Sequence, residues 1–108
     1  MNTLRGITTV TVLGGSLGLS GASAAEEQFD AEAAYQKTCF ACHGNGAAHA
    51  PVVGDYIEWE IRLEKGIDTL VQNTVAGLNG IMPPKGLCTD CSEEDLRAIV
   101  EYMLEQSQ

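Results

Sequence analysis

Five consecutive residues, Cys39-Phe40-Ala41-Cys42-His43, constrain this chain more than any other stretch of it. Two cysteines three residues apart share one face of a helical turn. Their sulfurs can reach two neighbouring points on the edge of one planar group. The histidine that follows is swung beneath that plane. There a neutral imidazole can bind a metal if its other nitrogen donates to a fixed acceptor. The vinyl groups of a porphyrin meet the first demand and its iron meets the second. The C-x-x-C-H motif therefore predicts one haem joined to Cys39 and Cys42 by thioether bonds, with His43 as an iron ligand.

A bare C-x-x-C has other uses. A thioredoxin-like redox pair sits in a βαβ setting, and no stretch here alternates with the period of a strand. A zinc site could combine the pair with Cys88 and Cys91. The 45 residues between Cys42 and Cys88 exceed ribbon-type spacing. A purely disulfide role leaves the adjacent His43 without a purpose. Helical patterning and an exported setting favour haem.

The exported setting is read from residues 1–25. Arg5 is the only charge before Glu26, residues 6–21 are apolar and small, and Ala22-Ser23-Ala24 gives an A-x-A pattern. These parts predict a secretory signal peptide cut after Ala24 or Ala25. A membrane anchor is the competing reading, weakened by a short run rich in Gly and Thr. Residues 26–108 then form one domain, periplasmic after export. That domain holds 15 acidic and five basic residues, a net charge of −10. Such a charge excludes nucleic acid as a partner and disfavours an anionic membrane surface. It favours protein partners with basic docking patches. Membrane contact is expected only through such a partner, and the oligomeric state stays open between a monomer and a weak dimer. A domain this small needs help with its core, which disulfides, a metal or a covalent cofactor can supply.

The pattern along the chain is all-α, about four helices. Residues 30–38 read as a helix running into Cys39, and residues 44–54 as a loop. Asp55 caps a helix over 56–65 that Gly66 stops, with Ile57, Ile61 and Trp59 or Leu63 on its buried side. Asp68 opens a segment with Leu70, Val71, Thr74, Val75 and Leu78 at helical spacing, ended by Gly77 and Gly80. Residues 81–90 are irregular because they hold two prolines and a glycine. Ser92 and Asp95 form a capping-box pair for a last helix, whose inward face is Leu96, Ile99, Val100, Met103 and Leu104.

An iron used only for electron transfer is usually six-coordinate. Met103 lies on the apolar face of the last helix and reads as core. Met82, in Gly80-Ile81-Met82-Pro83-Pro84, has no helical duty and stiff prolines behind it. It is favoured as the second ligand. His49 is the rival, but it follows His43 by six residues and reaches the opposite haem face only by a sharp reversal.

Together these residues resemble the class I c-type cytochromes. The run from Met82-Pro83-Pro84 through Cys88-Thr89-Asp90-Cys91 to Leu96 is similar to the bacterial cytochrome c5 family, as are Ala50-Pro51, Gly54-Asp55, Trp59 and Arg62. The resemblance implies a disulfide between Cys88 and Cys91 after the methionine loop. It implies a first helix crossing the last, with Ala31, Ala33 and Ala34 against Tyr102 or Met103. It implies that the Pro51 carbonyl accepts from the non-ligating nitrogen of His43. Trp59 would pack near the haem edge or serve as plain core. The cysteine pair could instead be a redox-active dithiol, but no cationic group obvious in the sequence activates it.

The expected function is one-electron transfer by a haem c with His43 and Met82 on its iron, with no substrate turned over. Two alternatives remain: a fixed electron-transfer subunit of a larger oxidoreductase, and a haem enzyme or gas-binding protein, which needs an open iron site.

Overall fold

The computed structural model describes residues 28–108, together with residue 6, residues 11–15 and residue 18. Most of the expected signal peptide, and its cleavage point, lie outside the described residues. Among these, no helix is long and apolar enough to cross a membrane. Among the described residues, four helices and connecting loops form the fold, with no strand beyond one isolated bridge between Leu78 and Met82.

The first helix, α1, covers 31–43. Asp30 caps it, its carboxylate accepting from the Ala33 N–H at 3.0 Å. It starts as α-helix over Ala31–Ala34, widens to a π-helical turn over Tyr35–Cys39, and returns to α-helix over Phe40–His43. In the wide turn the Phe40 N–H donates to the Tyr35 carbonyl, five residues back. The Thr38 hydroxyl donates to the Ala34 carbonyl at 3.3 Å, just where the helix widens. Such back-bonding bends helices. One extra residue in a turn rotates everything after it by about 100°. The turn thereby sets the face on which Cys39, Cys42 and His43 are presented relative to Ala31 and Ala34.

The second helix, α2, is Tyr56–Leu63, with the Asp55 carboxylate accepting from the Glu58 N–H at 3.3 Å. Its buried side corrects the expectation. Ile57 is 65 % exposed and Ile61 53 %, while Trp59 is only 6 % exposed. Residues 57 and 61 share a face, and residue 59 lies nearly opposite at about 100° per residue. The helix can bury one set, and the indole wins by its area and its hydrogen bond.

The third helix, α3, is Ile67–Ala76, so it begins at Ile67, after Gly66 as its N-cap, rather than at Asp68. Asp68 instead sits in its first turn and pairs with Arg97 at 2.6 Å. Val71 is fully buried. Leu78 lies beyond the helix, on the exposed side of the following turn, which corrects its expected place on the apolar stripe.

The last helix, α4, is Glu93–Glu105, and both halves of its capping box form. The Ser92 hydroxyl accepts from the Asp95 N–H at 3.1 Å, and the Asp95 carboxylate accepts from the Ser92 N–H at 2.9 Å. Leu96, Ile99, Val100, Met103 and Leu104 are all buried. They meet Tyr35, Trp59, Val71 and the Cys88 and Cys91 pair in one core. Ala31 and Ala34 pack on this core and Ala33 is exposed, so only two of the three small residues serve the crossing. Tyr35 and Tyr102 mark the contact, with ring centroids 5.5 Å apart.

Candidate haem-binding site

The end of α1 presents Cys39 and Cys42 as unpaired thiols. Burial pushes the Cys39 thiol up, the Thr38 hydroxyl at 3.5 Å pulls it the other way, and the neighbouring Cys42 adds to the rise. His43 follows, half-buried, and its Nδ1 lies 2.9 Å from the Pro51 carbonyl. A carbonyl can only accept, so Nδ1 carries the proton. The lone pair of Nε2 is then free for a metal. Burial holds this imidazole below its ordinary value. The bond to Pro51 works against that, and the Arg62 guanidinium adds to the lowering.

A short strap, residues 51–54, builds this geometry. The Val53 N–H donates to the His43 carbonyl at 2.8 Å. The Val52 carbonyl accepts from Trp59 Nε1 at 2.9 Å and from the Asp55 N–H at 3.0 Å. The indole is buried in the core, and its ring centroid lies 5.9 Å from that of His43. The rival ligand His49 sits on the exposed loop before the strap, at φ 63.

Met82 is placed by a tight turn. Leu78 and Met82 exchange both backbone hydrogen bonds, at 3.0 and 3.1 Å. Asn79 and Gly80 between them have φ of 54 and 68. Two positive values at an Asn-Gly pair define a type I′ turn. Behind the methionine, the chain bends so that an ideal Cβ on Gly86 would lie 3.7 Å from Met82 Cε and 3.8 Å from Cys39 Sγ. The Met82 thioether methyl and the Cys39 sulfur therefore flank one stretch of backbone. Met103, the other methionine considered, is buried in the core.

Two thiols, an imidazole with a free Nε2 and a thioether are donors of the kinds that could hold haem c, Cys39 and Cys42 through thioether bonds and His43 and Met82 as iron ligands. Sequence reading missed the strap residue Val52 and the turn Asn79-Gly80. The Asn-Gly dipeptide was a usable signal for the turn. Nothing local marks Val52, because only its backbone is used.

Cys88 and Cys91 are joined as a disulfide, with Cα atoms 5.4 Å apart. Lys85 reaches past them to donate to the Cys91 carbonyl at 3.0 Å, and Lys37 lines the cleft above the pair. Cationic groups do stand near the pair, contrary to the reading of the sequence. The ammonium of Lys85 is committed to a carbonyl and ties the pair to the methionine loop. We expect Cys88→Ser with Cys91→Ser to lower stability by about 2 kcal/mol, since the closed loop is very short. Covalent haem should be retained. Denaturant melts and haem staining on a denaturing gel check both, and loss of haem from the gel would contradict the assignment.

Residues 26–103 match the family described as "Cytochrome C oxidase, cbb3-type, subunit III". Cytochrome c5 of Azotobacter vinelandii is 46 % identical over 69 residues, 62 % of this chain and 82 % of that protein. The solved mono-heme ferrocytochrome c of Shewanella putrefaciens is 46 % identical, with a TM-score of 0.65 over 76 % of this chain and 99 % of its own. A chain from the electron transfer complex of nitrite reductase with cytochrome c is 37 % identical, with a TM-score of 0.67 over 75 % of this chain and all of that one. The fold and these likenesses define a small helical haem protein of electron transport. The chain belongs to the class I c-type cytochromes and is similar to cytochrome c5 within them.

Proposed function

We propose that this protein is a soluble periplasmic electron carrier. It holds one haem c through Cys39 and Cys42, with His43 and Met82 as the two axial ligands. Bound there, haem c supplies a one-electron Fe(II)/Fe(III) couple. The chain's own residues bind it, orient it and close its iron to outside ligands. The observation that carries the reading is the hydrogen bond from His43 Nδ1 to the Pro51 carbonyl, which leaves Nε2 as a fixed ligand. Cleavage after residue 24 or 25 would release the domain from its leader.

Partners are redox proteins met in brief encounters over small interfaces. Residues 39–54 and 69–89, which carry the four binding positions, contain no Asp or Glu. Among the described residues, every acidic residue except Asp90 lies on a helix or at its end. Steering of a basic partner would come from those helices, while the ligand-bearing segments stay uncharged enough for close approach.

The family match is described by an oxidase subunit, which favours a second reading. There the same domain serves one fixed partner within a larger oxidoreductase. Purification without cross-linking separates the two, because a carrier travels alone.

The test of ligation is a visible spectrum of the purified protein, oxidised and reduced, followed by carbon monoxide. A histidine–methionine low-spin spectrum and no rapid carbon monoxide binding are expected. Rapid binding would mean an open iron site and an enzyme or gas-binding role.

A further inference from the structure

Ser107 is the one buried polar side chain among the described residues, 3 % exposed in an otherwise apolar core. Its hydroxyl donates to the Met103 carbonyl at 2.7 Å. A serine has one proton to give. Toward the Gly54 N–H, 2.9 Å away, the same oxygen can only accept. This bond joins residues 53 apart in sequence and pins the end of α4 to the strap.

The strap is otherwise held at three points, two of them on His43. Pro51 presents its carbonyl to Nδ1, Val52 accepts from Trp59, and Val53 donates to the His43 carbonyl. Pro51 has no N–H with which to fix itself. The direction of its carbonyl therefore depends on the anchors downstream. Trp59 and Ser107, the two side chains that anchor the strap, both line one cleft of about 350 Å³.

We propose that Ser107 is a positioning residue for the His43 imidazole. By holding Gly54 it aims the Pro51 carbonyl, and through that bond it sets how strongly His43 donates to the iron. The proposal rests on the reading of His43 as a ligand. A stronger Nδ1–H donation makes the imidazole a better donor and favours Fe(III). Removing the Ser107 hydroxyl leaves the N–H of the exposed Gly54 to water, unties it from α4 and lets the strap open more often.

The test uses the haem-loaded protein and compares Ser107→Ala with Ser107→Thr. In S107A the reduction potential should move upward. The His43 Nδ1 proton should exchange with solvent up to about tenfold faster relative to the core amide of Leu96, since tenfold is about 1.4 kcal/mol and one intramolecular hydrogen bond is worth no more than that net. S107T, which keeps the hydroxyl, should restore both values. Should S107A not accumulate, Ser107→Cys gives a weak acceptor of similar size and a smaller change in the same direction. An unchanged potential and exchange ratio would overturn the proposal. So would equal acceleration at His43 and Leu96, which marks a merely global loss of stability. Failure of the ligand reading shows separately, as a wild-type spectrum without histidine–methionine ligation. The exchange ratio is read on the imidazole proton whatever binds the iron.

Discussion

Met82→Ala should abolish the methionine-ligated low-spin spectrum and leave the protein folded with its haem attached. The turn that carries Met82 is held by backbone bonds to Leu78, at 3.0 and 3.1 Å, and these do not need the side chain. The fold is therefore expected to survive, and the change falls on the iron. If the native thioether occupies its position about 99 % of the time, the apparent affinity of the reduced protein for carbon monoxide should rise roughly 100-fold. The reduction potential should fall, because methionine opposite histidine raises it. Carbon monoxide titration and redox titration read the two effects. A spectrum that survives the substitution would reassign the ligand, with His49 as the next residue to replace.

The helices and their caps were legible because their causes are local. Asp55 and the Ser92–Asp95 pair each accept from an N–H within three residues, so the sequence alone shows them; Asp30, read as part of the first helix, caps it in the same local way. The inward face of α4 was legible because five large apolar residues repeat at helical spacing. The motif at 39–43 needed only the geometry of one turn. The errors arise where distant parts choose between local options. Ile57 and Ile61 have the periodicity of a buried stripe, but Trp59 finds the Val52 carbonyl and turns α2 the other way. Ala33 has the right size for the helix crossing but points off the core, since Ala31 and Ala34 take the contact.

The candidate site divides in the same way. His43 and Met82 are chemically conspicuous in sequence. What holds them is not. Pro51, Val52 and Val53 contribute backbone atoms, and a backbone group looks alike at every residue; the Pro51 carbonyl was expected only through the family resemblance, and its bond to His43 is present. Ser107 is ordinary until Gly54 is placed beside it. The π-turn at Tyr35–Cys39 is also invisible to helical periodicity, because it changes the period in mid-helix.

Gly77→Ala should damage the protein far more than Gly80→Ala, although both glycines read in sequence as the end of one helix. Gly77 has φ 80 and ψ 168, a region open to glycine and strained by about 1–3 kcal/mol for other residues. A Cβ there would also lie 2.7 Å from the Met82 carbonyl oxygen, 2.9 Å from Pro84 N and 3.2 Å from Pro83 C. These are backbone atoms of a proline-stiffened segment, so no side chain can swing away. The close approach is the reason Met82 can bridge back to Leu78. Gly80, at φ 68, has nothing within 4 Å of an added Cβ. Its substitution carries only the left-handed penalty, about 1–2 kcal/mol. We expect G77A to lose at least about 3 kcal/mol in denaturant melts. It should also admit carbon monoxide to the reduced protein, because the methionine loop must shift to make room. G80A should lose half as much or less and stay closed to the gas. If the two variants melt alike and bind alike, the packing of Gly77 against Met82 does not hold the loop, and the turn at Asn79-Gly80 must do so alone.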